Sequence, residues 1–269
     1  KKQYGFARLM EVLEPSPWRV EPKCQFHRQC GGCQIQCLSY EEQLKFKQNK
    51  VYNNLVRIGG QNDFVMQDII GMEEPFNYRN KAQFPVGLDK QGNVVSGFYA
   101  GRTHSIIGID SCDLGLKLDG RDINKEVMDI VKKFMTKYQI EPYNEVTHKG
   151  LVRHVLIRIG AKTKQIMVCI IINGRKLPNK DELVEKLCKL EGMQSVSLNV
   201  NTNKSNVILG SKIINLYGPG YIEDYIGDVK FRISPLSFFQ VNPVQTEKLY
   251  NKALEYADLS GNEIVWDLY

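Results

Sequence analysis

Ala82-Gln83-Phe84-Pro85-Val86, then Asp89-Lys90-Gln91-Gly92-Asn93, then Val94-Val95-Ser96-Gly97-Phe98-Tyr99: two short runs rich in β-branched and aromatic residues flank a turn-forming cluster. That arrangement predicts a β-hairpin. Further on, Val127, Ile130, Val131 and Phe134 recur at helical spacing, as do Leu183, Val184, Leu187 and Leu190. Strand-like runs at 151–159, 165–172 and 195–200 surround the second of these helices. The order hairpin, helix, strands, helix, strand predicts an α+β domain with a mostly antiparallel sheet.

Upstream of the hairpin, Leu44, Val51 and Leu55 recur near helical spacing with Lys45, Lys47 and Lys50 among them, which predicts a helix with a basic solvent face. The segment 4–20 has short apolar runs that break at Pro15, Pro17 and Pro22, and reads as the last strand or two of an element that began earlier. Downstream, the character changes after Gly218-Pro219-Gly220, passing into a helix from about 244 to 257 and a short apolar strand, Ile264-Val265-Trp266. Strand, helix, strand is how an α/β nucleotide-binding sheet begins.

At 269 residues the chain exceeds what one core usually holds, so two or more structural units are expected. Its 42% hydrophobic and 25% charged content are those of a soluble protein, and no run approaches the roughly 20 apolar residues of a membrane span. The start has no apolar signal-peptide core, so the cytoplasm is the expected compartment and no membrane partner is expected. A net charge of +6 and a pI near 8.8 favour a polyanionic partner, although many proteins share that bias.

Seven cysteines without a secretory signal point to metal binding or catalysis, especially because three of them lie in Cys24-Gln25-Phe26-His27-Arg28-Gln29-Cys30-Gly31-Gly32-Cys33. Glycine permits the positive φ a close wrap needs, and thiolates at two-residue spacing can share one centre. A fourth thiolate would come from Cys37 or from Cys112; four thiolates suit zinc as well as an iron–sulfur cluster. Free buried cysteines are the bland alternative. Cys169 and Cys188, inside apolar patterns, read as small hydrophobes, and His27 as a bystander.

Arg79 and Lys81 share one face of the predicted strand, and Arg102 and His104 repeat that spacing. Phosphate contact is a natural use for such a face, and a solvated edge is the alternative. Arg153 and His154 are similar candidates. Phe238 and Phe239 are adjacent in an extended segment and so point opposite ways, which predicts that one of the pair packs in the core.

The run Cys24 to Gln34 with Cys112 downstream resembles the [4Fe-4S] signature of the bacterial 23S ribosomal RNA uridine methyltransferases. Three further stretches match in the expected order: Tyr78-Arg79-Asn80-Lys81, the segment Ser234-Pro235-Leu236-Ser237-Phe238-Phe239-Gln240-Val241-Asn242, and Asp267-Leu268-Tyr269. The resemblance implies the tail of an OB-type TRAM barrel at 1–20 and a central iron–sulfur, RNA-binding domain at 21–35 and 70–236. It also implies part of a Rossmann-like, S-adenosylmethionine-dependent methyltransferase domain at 36–69 and 237–269. It carries the cluster ligands over to Cys24, Cys30, Cys33 and Cys112, and the S-adenosylmethionine contacts to Gln240 and Tyr269. Phe238 matches an aromatic near the flipped base, and Arg79, Lys81 and Arg153 are the candidate RNA contacts. The implied activity is methylation of a uridine at carbon 5 of 23S ribosomal RNA through a covalent cysteine adduct, by a monomer. The family's nucleophile and general base have no match within these residues, so none of the seven cysteines is assigned as catalytic. A tRNA 5-methyluridine methyltransferase and a non-catalytic, zinc-stapled RNA-binding module are the rival readings.

Overall fold

The computed structural model describes residues 5 and 7–268. The chain forms two compact units, one holding residues up to 28 together with 32–71, the other 29–31 together with 72 onwards. This division differs from the expected one, which placed all of 21–35 with the sheet. Only 29–31 join the sheet unit, because that stretch pairs with the end of the hairpin: Gly31 N–H donates to Tyr99 O at 3.1 Å and Gly101 N–H to Gln29 O at 3.2 Å.

In the first unit, Arg19 bridges antiparallel to Leu38, with Val20 N–H donating to Cys37 O at 2.9 Å and Ser39 N–H to Trp18 O at 2.9 Å. Helix α1 (Tyr40–Asn53) follows and runs into a π-helical turn, Asn54–Ile58. It buries no residue, and Val51 and Leu55 are exposed, so the apolar stripe expected to be its inner face is not a core face. The strands expected near the start are not found among the described residues 7–18, where Leu9, Met10 and Leu13 are exposed. A strand needs a ladder partner to satisfy its backbone, and these residues have none of that kind.

The second unit is built on β1 (Lys81–Leu88), β2 (Val94–Tyr99), β3 (Ile106–Gly108), β4 (Val152–Ile159), β5 (Ile166–Ile172), β6 (Met193–Val200) and β7 (Lys212–Tyr217). They form one mixed sheet in the order β3-β2-β1-β4-β5-β6-β7. All neighbours are antiparallel except β5 and β6, which are parallel because the chain crosses back between them through helix α3 (Lys180–Cys188). The hairpin is as expected: Asp89 Oδ1 accepts from Gln91 N–H and Asn93 N–H, and Gly92 takes φ +84°. Gly97 is required in β2, since a Cβ there would lie 1.8 Å from Ile107 O.

Alternation along the strands sorts the residues onto two faces. Phe84, Val86, Val155, Ile157, Val168, Ile170, Val196 and Leu198 pack with Val127, Val131, Phe134 and Met135 of α2 (Ile123–Lys137) and with Leu183 and Leu187 of α3. Helix α2 starts at Asp122, whose carboxylate accepts from Lys125 N–H. Every residue of β4 and β5 is buried; β5 reads as a continuous apolar run, whereas β4 also buries Arg153, His154 and Arg158. The opposite face is mixed in character. The ladder aligns Lys81 with Arg158, Arg158 with Met167 and Met167 with Ser195, and in a second row Gln83 with Leu156, Leu156 with Cys169 and Cys169 with Ser197. Burial pushes the Cys169 thiol up to about 11, and Cys188 packs at the edge of the α2–α3 core. Both cysteines are the small hydrophobes expected.

A second hairpin, β8 (Ile222–Ile226) and β9 (Val229–Ile233), was not read from the sequence, and neither was β7. Buried Asp224 of β8 accepts from Ala161 N–H at 2.8 Å and Lys162 N–H at 3.0 Å, and Thr163 Oγ1 donates to Glu223 O. These bonds tie the hairpin to the β4–β5 turn. Helix α4 (Pro243–Ala257) follows, capped by Asn242 and carrying Pro243 at its first position. Residues 262–268 form no strand, and Ile264, Val265, Trp266 and Leu268 are exposed. The strand expected at 264–266 is therefore absent, because no described strand lies beside it to supply a ladder. No described helix is long and apolar enough to cross a membrane.

Candidate RNA and cofactor site

Two of the stretches singled out in the sequence, 78–81 and 234–242, lie 150 residues apart and meet at one end of the large sheet. Asn80 is their joint. It is buried, its N–H donates to Val241 O at 3.0 Å, its Nδ2 donates to Gln240 O at 3.0 Å, and its carbonyl accepts from Ile159 N–H at 2.9 Å. One strand over, the Arg158 guanidinium donates to Ser237 O. Arg158 is buried, and burial pulls its pKa down to about 10. Sequence reading missed Arg158, and since β4 also carries Arg153 and His154 no local signal singles it out.

Lys81 begins β1 directly opposite Arg158, and Arg79 Nε donates to Lys81 O at 3.1 Å. Partial burial, then Arg158 and Arg79 beside it, hold the Lys81 ammonium below the usual lysine range. Among the described residues no carboxylate pairs with any of these three cations. Arg79 precedes the strand rather than lying in it, and it bridges Gly115. The strand alternation from which a shared face was expected for Arg79 and Lys81 therefore begins only at Lys81.

Phe238 is 83% exposed, whereas Phe239 stacks on Phe231 at 5.7 Å beside Met167, Ile222 and Ile233. One aromatic of the pair faces out and one packs in, as extended alternation requires. Gln240, the next residue along the chain, is half-buried. Tyr269 lies outside the described residues.

Two basic candidates, Arg153 and His154, do not belong to an open surface. Arg153 is buried, its side chain 1% exposed. It donates to Asn203 O at 2.7 Å and Asn201 O at 3.2 Å, pairs with Glu145 at 3.4 Å and lies over the Tyr143 ring at 4.2 Å. Its charge is committed to its own protein, which corrects the expectation that it contacts RNA. Arg102 sits in the turn after β2 with φ +63°, so the strand alternation inferred for it and His104 does not apply.

His154 is likewise buried, with Tyr99 Oη 3.3 Å from its Nε2. Burial, with Arg153 beside it, lowers its pKa from 6.5 to about 4. The folded imidazole therefore stays neutral while the unfolded one takes a proton first as pH falls. The stability this confers is complete above about pH 6.5 and is lost as pH falls towards 4, at up to ~1.4 kcal/mol per pH unit. Urea melts between pH 4 and 7 should show this slope in the parent and a shallower one in His154→Phe; equal slopes would contradict it.

Cys30 bridges Ala100, and Gly31 is held so closely to Tyr99 O that a Cβ would meet it at 3.3 Å. Cys112 O accepts from Gly115 N–H at 2.9 Å and Asp113 O from Asn77 N–H at 2.8 Å, which fixes the turn after β3. Cys24 and Cys33 belong to the first unit, Cys30 and Cys112 to the second. Among the described residues no three His, Cys, Asp or Glu side chains come together as a metal site. All four thiols are half-buried.

No protein-family model matches the chain. It is 48% identical over its whole length to an uncharacterized RNA methyltransferase of Clostridium tetani. Its relatives are named as RNA methyltransferases. Another, from Caldanaerobacter subterraneus, is 46% identical over the whole chain. The chain spans 57% and 58% of the lengths of these two relatives. Among solved structures it superposes on the Pyrococcus abyssi tRNA (uracil-54, C5)-methyltransferase in complex with S-adenosyl-L-homocysteine, with a TM-score of 0.68 and 26% identity. That match covers 91% of this chain and 53% of the archaeal one.

Proposed function

We propose that this chain is the RNA- and cofactor-engaging part of an S-adenosylmethionine-dependent RNA (uracil-5-)-methyltransferase acting in the cytoplasm. The observation that carries the reading is the meeting of 78–81 with 234–242: Arg79, Lys81 and buried Arg158 have no carboxylate partner among the described residues, and Asn80 and Arg158 bond to the segment that carries the outward-facing Phe238. Gathering like charges is unfavourable unless a polyanion relieves it, and an exposed aromatic ring offers a face for an unstacked base. In this reading Arg79 and Lys81 hold phosphates, Phe238 meets the target base, and Gln240 and Tyr269 contact the cofactor, which supplies the methyl group when bound. Cys24, Cys30, Cys33 and Cys112 would hold a [4Fe-4S] cluster as a structural element. The substrate we favour is 23S ribosomal RNA; the archaeal neighbour's name makes tRNA the second reading. The protein is proposed to act as a monomer.

The test is transfer of labelled methyl from S-adenosylmethionine to 23S ribosomal RNA and to tRNA by the intact protein, followed by nucleoside analysis. Methyl recovered as 5-methyluridine in 23S ribosomal RNA is expected. Recovery only in tRNA would replace the substrate, and no transfer to either would overturn the activity. In binding assays, Arg79→Ala and Lys81→Ala should each weaken RNA affinity and reduce the salt slope by about one unit. Unchanged slopes would return both residues to a solvated edge.

A further inference from the structure

We infer that Asn80 and Arg158 are positioning residues that set the main chain of 237–241, and through it Phe238 and Gln240. The segment between β9 and α4 has little regular structure of its own. It closes a small turn, with Ser237 N–H donating to Ser234 O at 3.2 Å and Ser234 N–H to Ser237 Oγ at 3.0 Å. Beyond that turn its carbonyls are taken by the sheet: Ser237 O by Arg158, Gln240 O by the Asn80 amide and Val241 O by the Asn80 N–H.

The two holders are themselves locked together, because Ile159 N–H donates to Asn80 O and Lys81 pairs with Arg158 in the ladder. Both are 3% exposed, and Phe239 is pinned independently on Phe231. Phe238 therefore projects from a stretch fixed on either side, although nothing covers its own ring.

Stability gives a poor account of this arrangement. Asn80 Oδ1 and Arg158 Nε are buried without a hydrogen-bond partner, an unfavourable use of polar groups in a core. A loop needing only to connect β9 to α4 would not require a buried cation from β4. Rigid support from regular elements is what a first-contact residue needs to keep its geometry. The inference rests on the proposed function for what Phe238 and Gln240 touch, but not for the holding itself.

Two measurements on the intact protein test it. In hydrogen–deuterium exchange, Asn80→Ala should raise exchange in the peptide covering 237–242 about tenfold while leaving β4 and β5 as protected as in the parent. In calorimetry with S-adenosylhomocysteine, Asn80→Ala should weaken binding about tenfold. Combined with Gln240→Ala it should be no weaker than Gln240→Ala alone, since a residue acting through another is not additive with it. Arg158→Lys, which keeps the charge but not the planar fork, should loosen the same peptide less than Arg158→Met. Unchanged exchange at 237–242 would overturn the inference, as would additive losses in the double variant. If the parent itself binds no S-adenosylhomocysteine, the functional reading fails, and the exchange comparison alone decides whether these residues hold the segment.

Discussion

Arg153→Ala is expected to lower the free energy of unfolding by about 3–5 kcal/mol, because it leaves buried partners without their cation. The guanidinium takes up the carbonyls of Asn201, Asn203 and Ser205, lies against Glu145 and stacks over Tyr143. Removing it strands a mostly buried carboxylate and frees the loop after β6 that those carbonyls define. For a cooperative unit of this size the loss corresponds to a fall in Tm of roughly 6–20 °C. Arg153→Lys should fall between parent and Ala, since one ammonium cannot serve a fork of acceptors. RNA affinity, corrected for the folded fraction, should not change. A variant that melts within about 1 °C of the parent but loses RNA binding would restore Arg153 to the surface role the sequence assigned it.

Cys112→Ser is expected to abolish iron binding. If Cys24, Cys30, Cys33 and Cys112 are the ligands, the anaerobically purified intact protein should carry about four irons per chain and be brown. The serine variant should be colourless and poorly soluble, because a metal centre that forms only on folding contributes its binding free energy to the fold. On this ligand set Cys37→Ser should keep its iron. Iron lost from Cys37→Ser and retained in Cys112→Ser would reassign the fourth ligand. Zinc at about one per chain, without visible absorption, would leave the four-cysteine site standing but exclude the cluster.

The sequence by itself determined the elements whose periodicity is set locally. The 81–99 hairpin, helices α2, α3 and α4, and strands β4 to β6 are legible because their side chains repeat with the period of the structure they form. It also determined that Phe238 and Phe239 divide between outside and inside, since alternation follows from extended backbone alone. The hairpin β8–β9 was not legible, because Ile222, Asp224 and Phe231 acquire meaning only from packing on the β4–β5 turn and from Met167.

Only the tertiary structure decided which cations are available. Arg79, Lys81, Arg153 and Arg158 carry the same charge, and nothing in the residues nearest each one along the chain separates them. Carbonyls nearly fifty positions away hold Arg153 inside, while Asn80 and Arg158 meet a segment that the chain supplies about 160 and 80 residues later. A buried polar group must find its partner somewhere, and the partner's position is a property of the folded sheet rather than of the neighbouring sequence.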